Sequence, residues 1–162
     1  MDRLSKKTKI AIVAPACPLK MEAAERVAAL ARERLGDDAP ELLFHPQCFL
    51  DEGHFAGPDA ARSAAFIEAA NDPGVDAVWF ARGGYGSGRL DETLFAKLKP
   101  PAQRKVYLGY SDLGFVLGRL YAGKIGRPAH GPMPADINRA DGEEAVLRAL
   151  RYLALGDIGG IE

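Results

Sequence analysis

The sequence predicts an α/β protein in which helices cover both faces of a mainly parallel β-sheet. Two observations lead to this prediction. Short runs of apolar and β-branched residues alternate along the chain with segments whose apolar residues recur at helical spacing. Glycine, proline and asparagine cluster between these segments, where turns are expected. Strands and helices that alternate in this way form βαβ units with right-handed crossovers, so neighbouring strands run parallel.

The first part of the chain contains two predicted strands with a helix between them. KIAIVAP, residues 9–15, is a continuous β-branched run, which is typical of a strand buried on both faces. Apolar residues then recur at helical spacing over residues 21–35, and Gly36 stands where it would end that helix. ELLFHP, residues 41–46, predicts a short second strand.

The central part of the chain predicts two further strands and two further helices. A helix is expected over residues 58–71, because proline suits the first turn of a helix and the turn sequence NDPG follows. VDAVWFA, residues 75–81, predicts a third strand that ends at a glycine-rich loop. RKVYLGY, residues 104–110, predicts a fourth strand, and residues 113–121 predict the helix that follows it.

The last part of the chain predicts a short strand and a final helix. KIGRPAHG, residues 124–131, is the candidate fifth strand. Asp141 and Glu144 have the spacing of a capping box, so we expect a helix to begin there. Its apolar residues share one face, and Gly156 follows its end.

Composition limits the class of protein. A chain of 162 residues, with 48% hydrophobic and 27% charged residues, fits one globular domain. Its formal net charge of −1 argues against a nucleic-acid surface. No apolar run approaches the length that spans a bilayer, so a membrane is not an expected partner either. Cys17 and Cys48 have no metal-binding spacing and are expected to be reduced thiols in a cytoplasmic protein.

Three loops should meet at one edge of the predicted sheet, where ligands of such folds bind. They contain Pro15, residues 82–88 and residues 109–111, and each directly follows a predicted strand. The glycine loop, ARGGYGSGRL, lacks the lysine of a phosphate-binding loop and does not follow the first strand as a dinucleotide fingerprint would. Two other interpretations are a flexible loop of positive φ, and a loop that exposes backbone N–H groups to a reacting oxyanion.

The sequence LGYSDLGF predicts a strand, a tight turn at Ser111 and a helix. This order is that of a nucleophile elbow, which presents a serine hydroxyl from a strained turn. The alternative is that Ser111 or Asp112 only caps the helix. Of the three histidines, His130 falls at the carboxyl end of the fifth strand, on the same edge as Ser111, whereas surface roles suffice for His45 and His54. The residues alone offer a nucleophile but no complete triad.

Five segments in this order resemble the N-terminal domain of the LD-carboxypeptidases, which are serine peptidases of murein recycling. The segments are IAIVAPACP, FAGPDAAR, ARGGYGSGRL, LGYSDLGF and HGPM. The match covers nearly the whole chain, and microcin-immunity hydrolases are close relatives of the family. The resemblance implies a flavodoxin-like or class I glutamine amidotransferase-like fold.

The resemblance also implies an activity and the residues that perform it. The family removes the terminal D-alanine from cytoplasmic murein tetrapeptides through an acyl-enzyme, without a metal or other cofactor. Ser111 would be the nucleophile, and the backbone N–H groups of Asp112 and Gly84 would form the oxyanion hole. Members of the family are typically homodimers.

Substrate contacts are expected from the same glycine loop. Arg82 is a candidate partner for the terminal carboxylate of the substrate, although a structural pairing with Asp112 or a loop carbonyl is an alternative. Gly83 and Tyr85 are expected to line the substrate site. The segment ACP at residues 16–18 departs from the family, which more often has serines there.

The resemblance covers only half of a complete site. The family's catalytic glutamate and histidine come from a C-terminal domain, which should begin near Glu162, where this chain ends. We therefore expect residues 1–162 to form the nucleophile-bearing domain and to be inactive alone. The alternatives are an immunity hydrolase of peptidyl or acyl adenylates, and a non-catalytic module that binds peptide or self-associates.

Overall fold

A parallel sheet forms the centre of the computed structural model, which describes residues 6–156. Its five strands are β1 (Lys9–Val13), β2 (Glu41–Phe44), β3 (Ala77–Phe80), β4 (Val106–Gly109) and β5 (Arg127–His130). They lie in the order β2-β1-β3-β4-β5, and all four neighbouring pairs are parallel. This order is that of the flavodoxin-like folds. The predicted α/β class and the five predicted strands are therefore confirmed.

Helices cover both faces of the sheet, as predicted. The four α-helices are α1 (Met21–Leu35), α2 (Asp59–Asn71), α3 (Gly114–Ala122) and α4 (Gly142–Leu155). Helices α1 and α4 pack in one apolar core, and α2 and α3 pack in the other. Among the described helices, none is long and apolar enough to cross a membrane.

Successive residues of the central strands face the two helical layers in turn. Ile10 and Ile12 of β1 and Trp79 of β3 belong to the core under α1 and α4. Val13 and Phe80, from the same two strands, belong to the core under α2 and α3. Because both faces are covered, the strands are nearly continuous apolar runs, as the sequence indicated.

The capping box predicted for α4 is wrong. Asp141 does precede the helix, but its side chain makes no capping hydrogen bond. The Glu144 carboxylate instead accepts a hydrogen bond from Arg34 of α1 at 3.0 Å. A contact between two helices that are distant in sequence has therefore replaced the local one. The short 3₁₀ helices that connect the main elements were not predicted from the sequence.

The chain order reverses beside β1, because β2 lies on one side of it and β3 on the other. In open parallel sheets, ligands bind at such a reversal, beyond the carboxyl ends of the strands. The segments after β1 and β3 meet at this point, and the turn after β4 lies next to them. The fold therefore brings together the three loops that the sequence placed at one edge.

Cys48 makes a testable contribution to stability at alkaline pH. Its side chain is fully buried and its thiol donates to the Ile12 carbonyl at 3.2 Å. Burial raises the pKa of the Cys48 thiol from 9.0 to about 12. Above pH 9 the unfolded chain therefore ionises this thiol while the folded chain does not, so stability falls as pH rises.

We expect this one group to lower the free energy of unfolding by about 1.4 kcal/mol for each pH unit above its unfolded pKa. Urea unfolding of the wild type and of Cys48→Ala over this alkaline range measures the two slopes. The variant should have lower stability overall, since it leaves a small cavity, but a shallower loss with pH. Equal slopes for the two proteins would contradict the assignment.

Candidate active site

Ser111 lies where β4 turns into α3. The strand ends at Gly109, a 3₁₀ turn spans Ser111–Leu113, and α3 begins at Gly114. Ser111 is exposed and has a φ of 60°, a left-handed conformation that costs an L residue about 1–2 kcal/mol. The turn thus has the geometry of a nucleophile elbow, which presents a serine hydroxyl at the end of a strand.

The glycine loop, residues 82–88, lies directly against this serine. A Cβ atom at Gly83 would come within 3.2 Å of the Ser111 Cβ and 3.3 Å of its Oγ. Only a glycine lets the loop backbone approach the hydroxyl without pushing on it. Gly84 and Gly86 have φ values of 113° and 138°, which side chains rarely allow. The two segments that the sequence singled out therefore share one site.

Two hydrogen bonds join the loop to the elbow, and both involve Ser87 and Asp112. The Ser87 N–H donates to the Asp112 carboxylate at 2.8 Å, and the buried Ser87 hydroxyl donates to the Asp112 carbonyl at 2.5 Å. The Asp112 carboxylate therefore binds the loop and does not cap the helix. Asp112 is the second residue of the helical turn, where backbone N–H groups have no intrahelical acceptor. Its N–H can consequently serve a bound anion.

The residue before Ser111 is held from a different part of the chain. The Tyr110 hydroxyl donates to one oxygen of Asp136 at 2.8 Å, and Arg139 donates to the Tyr110 hydroxyl at 2.9 Å. The other Asp136 oxygen accepts the Met133 N–H at 2.8 Å. Burial of the phenol and its hydrogen bond to the carboxylate raise the pKa of Tyr110. The strained turn at Ser111 is thus held on one side through Tyr110 and on the other through Asp112.

His130 lies at the edge of the sheet where the sequence placed it, but it does not bind Ser111. It ends β5, beside the end of β4, and its ring packs against the Tyr110 ring with centroids 5.7 Å apart. Within residues 6–156 no hydrogen bond joins His130 to Ser111. His45 remains near the surface, with its Nε2 3.3 Å from the Glu68 carboxylate. The described residues therefore place no histidine as a base for the serine.

Among the described residues Arg82 makes no hydrogen bond to Asp112, so of its two expected structural pairings only the one with a loop carbonyl is observed. Its side chain is exposed, and its guanidinium donates to the Pro18 carbonyl at 3.4 Å, a long hydrogen bond. The Asp112 carboxylate, the other expected partner, is occupied by Ser87. Arg82 is therefore loosely held and can turn to an incoming anion.

A cavity of about 520 Å³ opens beside Arg82 and the segment after β1. Its wall carries both charges, with Lys20 and Arg82 opposed by Glu22 and Asp51. Tyr85 belongs to the glycine loop next to Arg82, and its side chain is 58% exposed. The cavity thus offers space and charged groups for a polar ligand beside the glycine loop, and Ser111 is not among the residues that line it.

One contact at this cavity was not predicted from the sequence. Cys17 Sγ lies 3.4 Å from His54 Nε2, although 37 residues separate them. The His54 ring also packs near Phe55 and Tyr85, with centroids 5.4 and 6.1 Å away. His54 is exposed, as the surface role expected for it requires, and it also has a specific partner in Cys17.

Arg62 was also missed, although the sequence held a signal for it. The arginine is fully buried on the face of α2 that carries Ala65, Phe66 and Ala69. A charged residue at helical spacing with apolar ones marks a buried cation, and such a cation needs several acceptors. Its guanidinium binds the Gly86 carbonyl of the glycine loop at 2.8 Å.

Comparison with known proteins gives one family. The model of the LD-carboxypeptidase N-terminal domain matches residues 10–131. A protein of Streptomyces coelicolor with the name "Putative carboxypeptidase" is 36% identical over 139 residues, which are 84% of this chain and 44% of that relative. The chain thus spans less than half the length of this relative.

Two solved structures have a similar fold to this chain. Muramoyltetrapeptide carboxypeptidase from Oxalobacter formigenes is 32% identical, with a TM-score of 0.63 over 78% of this chain and 40% of that one. An MccF-like protein from Bacillus anthracis is 24% identical, with a TM-score of 0.68 over 93% of this chain and 46% of that one. The second likeness concerns the fold alone.

Proposed function

This chain belongs to the LD-carboxypeptidase family, and from that premise we propose that it is the nucleophile-bearing domain of a serine LD-carboxypeptidase. The enzyme would remove the terminal D-alanine from murein tetrapeptides in the cytoplasm, during peptidoglycan recycling. The observation that supports this most is the left-handed φ of Ser111, directly against the backbone of Gly83. Such strain persists where the surrounding structure enforces it, and it is concentrated at functional sites.

The proposed reaction is acyl transfer through Ser111. Its Oγ attacks the carbonyl carbon that precedes D-alanine, while a base takes the hydroxyl proton. The backbone N–H groups of Gly84 and Asp112 hold the negative charge that develops on the carbonyl oxygen. The base then gives its proton to the nitrogen of the leaving D-alanine, and water hydrolyses the acyl-enzyme. Asp112 is suited to this role because its carboxylate is bound by Ser87 and leaves the N–H uncovered.

The base and its orienting acid belong to a second domain in this proposal. The described part of the chain places no histidine within hydrogen-bonding distance of Ser111, and His130 packs on Tyr110 instead. A histidine and a glutamate from a C-terminal domain, as in the family, would complete the triad. We refer to the two domains together as the intact enzyme, and we expect it to be a homodimer.

Arg82 is proposed to bind the terminal carboxylate of the substrate. Its guanidinium has only one long hydrogen bond, to a loop carbonyl, so little is lost when it turns to a carboxylate. Gly83 forms the floor of the site beside Ser111, and the exposed Tyr85 forms its edge. A carboxypeptidase needs such a cation next to its nucleophile, because the bond it cuts lies one residue from a free carboxylate.

The direct test is release of D-alanine by the intact enzyme. The substrates are a tetrapeptide that ends in L-lysyl-D-alanine, its diaminopimelyl counterpart, and the same peptides with a terminal L-alanine. D-Alanine should be released, and the L-alanine peptides should not be cut. A fluorophosphonate probe should label Ser111, as mass spectrometry of the modified peptide would show. No release and no label would instead favour a non-catalytic module.

One observation favours a second candidate function, the hydrolysis of peptidyl or acyl adenylates. Tyr85, Phe55 and His54 form an aromatic cluster beside the glycine loop, with ring centroids 5.4 to 6.1 Å apart. An exposed aromatic edge can stack a nucleobase. An aminoacyl sulfamoyl adenosine should therefore be assayed beside the tetrapeptide, and preferential cleavage of the adenosine compound would select this alternative.

Gly84→Ala in the intact enzyme should reduce kcat for the tetrapeptide on the order of 10²- to 10³-fold. The new Cβ would overlap the Cys17 sulfur, and the φ of 113° is unsuited to alanine. The loop must therefore shift, and the Gly84 N–H leaves the oxyanion. Steady-state kinetics measure the effect.

Gly118→Ala is the matched control for that substitution. Gly118 lies in α3, and a Cβ there would meet nothing within 4 Å. This variant should keep its activity and gain up to about 1 kcal/mol of stability, because alanine favours a helix. Wild-type kcat in a folded Gly84→Ala enzyme would contradict the proposed oxyanion hole.

A further inference from the structure

Arg62 carries a positive charge inside the protein, next to the candidate site. Its side chain has no exposed surface, and its α2 neighbours on the same face are alanines and a phenylalanine. A buried charge is costly unless hydrogen bonds replace the water that it has lost. The groups that accept hydrogen bonds from this guanidinium therefore indicate which parts of the structure the buried charge holds together.

The guanidinium binds three carbonyl groups from three different segments. They are those of Pro15 after β1, Gly57 before α2 and Gly86 in the glycine loop. The distances to Gly57 and Gly86 are 3.2 and 2.8 Å. Its Nη2 donates to the Asp59 carboxylate, and its Cζ lies 4.9 Å from the centre of the Phe55 ring. A planar fork of donors fixes several acceptors relative to one another, which an ammonium group cannot do.

The glycine loop needs such a fixed point. Glycines have little conformational preference of their own, so a loop with four of them in residues 83–88 is ordered only by contacts from outside. Ser87 ties one end of the loop to Asp112. Arg62 ties it to β1 and α2 through the carbonyl of Gly86, two residues after Gly84.

We propose that Arg62 is a positioning residue, which holds the glycine loop so that the Gly84 N–H points at the oxyanion. The proposal rests on the proposed function, since it assigns Arg62 to that same reaction. Arg62 does not touch the substrate. Its effect reaches the reaction through the bond to Gly86, so it should change kcat more than KM.

The test uses Arg62→Lys and Arg62→Met in the intact enzyme, with Arg89→Met as the control. Arg89 pairs with the same Asp59 at 3.4 Å and lies 5.0 Å from the same Phe55 ring, but it is half exposed and binds no carbonyl of the loop. Arg62→Met should lower kcat on the order of 10- to 100-fold with little change in KM, because misplaced catalytic groups have effects of this size. Arg62→Lys should recover part of the loss, and Arg89→Met should match the wild type.

A purely structural role would give a different result. It would lower the unfolding temperature of both Arg62 variants while the folded fraction kept its wild-type kcat, and that outcome would overturn the proposal. A folded Arg62 variant with the wild-type kcat would also overturn the proposal, whatever its unfolding temperature.

Hydrogen exchange of the wild-type protein and of Arg62→Met tests the proposal without an activity assay. The amides of Ser87 and Arg89 flank the bound Gly86 carbonyl, and Arg89 N–H donates to that carbonyl at 3.1 Å. In the wild type they should exchange as slowly as the amides of β3, and in Arg62→Met they should exchange faster. Rapid exchange in the wild type, or equal exchange in the two proteins, would show a loop that Arg62 does not hold. If the intact enzyme cuts no tetrapeptide, the proposed function fails, and this measurement still decides whether Arg62 orders the loop.

Discussion

Replacing Ser111 with alanine in the intact enzyme should reduce kcat for the tetrapeptide by a factor on the order of 10⁴ to 10⁶. Ser111 forms the only covalent bond to the substrate in the proposed mechanism, so without its hydroxyl no acyl-enzyme can form. What remains is stabilisation of the transition state by the oxyanion donors and by substrate binding. Release of D-alanine under single-turnover and steady-state conditions measures the loss.

The structure provides controls that separate chemistry from folding. Alanine has the same difficulty as serine with a φ of 60°, so the unfolding temperature should hardly change. Ser63→Ala, at a half-buried position of α2, should leave both activity and fluorophosphonate labelling intact. If Ser111→Ala keeps wild-type turnover, or if the probe labels Ser63 instead, Ser111 is not the nucleophile.

The 162-residue chain alone should be at least about 10³-fold slower than the intact enzyme, because the proposed mechanism assigns the base for Ser111 to a second domain. A serine without a base is a weak nucleophile at neutral pH. Among the described residues no histidine hydrogen-bonds to Ser111: the His130 ring packs against Tyr110, and His54 Nε2 contacts Cys17 Sγ. The measurement compares D-alanine release by equal molar amounts of the two proteins.

Addition of the separate second domain should restore part of the activity, since that domain is proposed to carry the histidine and the glutamate. Substantial turnover by the chain alone would contradict the two-domain assignment. His130→Ala in the same chain would then decide whether His130 is the base, because only in that case would the turnover disappear.

Much of the fold follows from local patterns that can be read along the sequence. Continuous apolar runs predict the strands, because a parallel sheet covered on both faces has no polar side. The segments at helical spacing predict the four helices, and their observed bounds differ from the expected ones by one or two residues at most ends. The strand, turn and helix around Ser111 were predicted in the same way, whereas the choice of Ser111 as nucleophile rather than helix cap came from the family resemblance.

The site itself is less local, and its supports escaped prediction. Ser87 binds Asp112 across 25 residues, and Arg62 binds the Pro15 carbonyl across 47. The partners in these contacts include backbone carbonyls, which every residue has and which leave no mark in a sequence. The capping box predicted for α4 failed for a related reason, because the Glu144 carboxylate pairs with Arg34 of α1 instead.

The sequence by itself therefore determined the α/β fold, the strand, turn and helix around Ser111, the glycine loop at the same edge of the sheet and the resemblance to the LD-carboxypeptidase family. Only the tertiary structure decided that Gly83 lies against the serine, that Asp112 is held by Ser87 and that a buried arginine orders the loop. The physical reason is the range of the interactions. Periodicity and turn preferences act between near neighbours, whereas the precise position of a loop depends on hydrogen bonds that form after distant segments have packed.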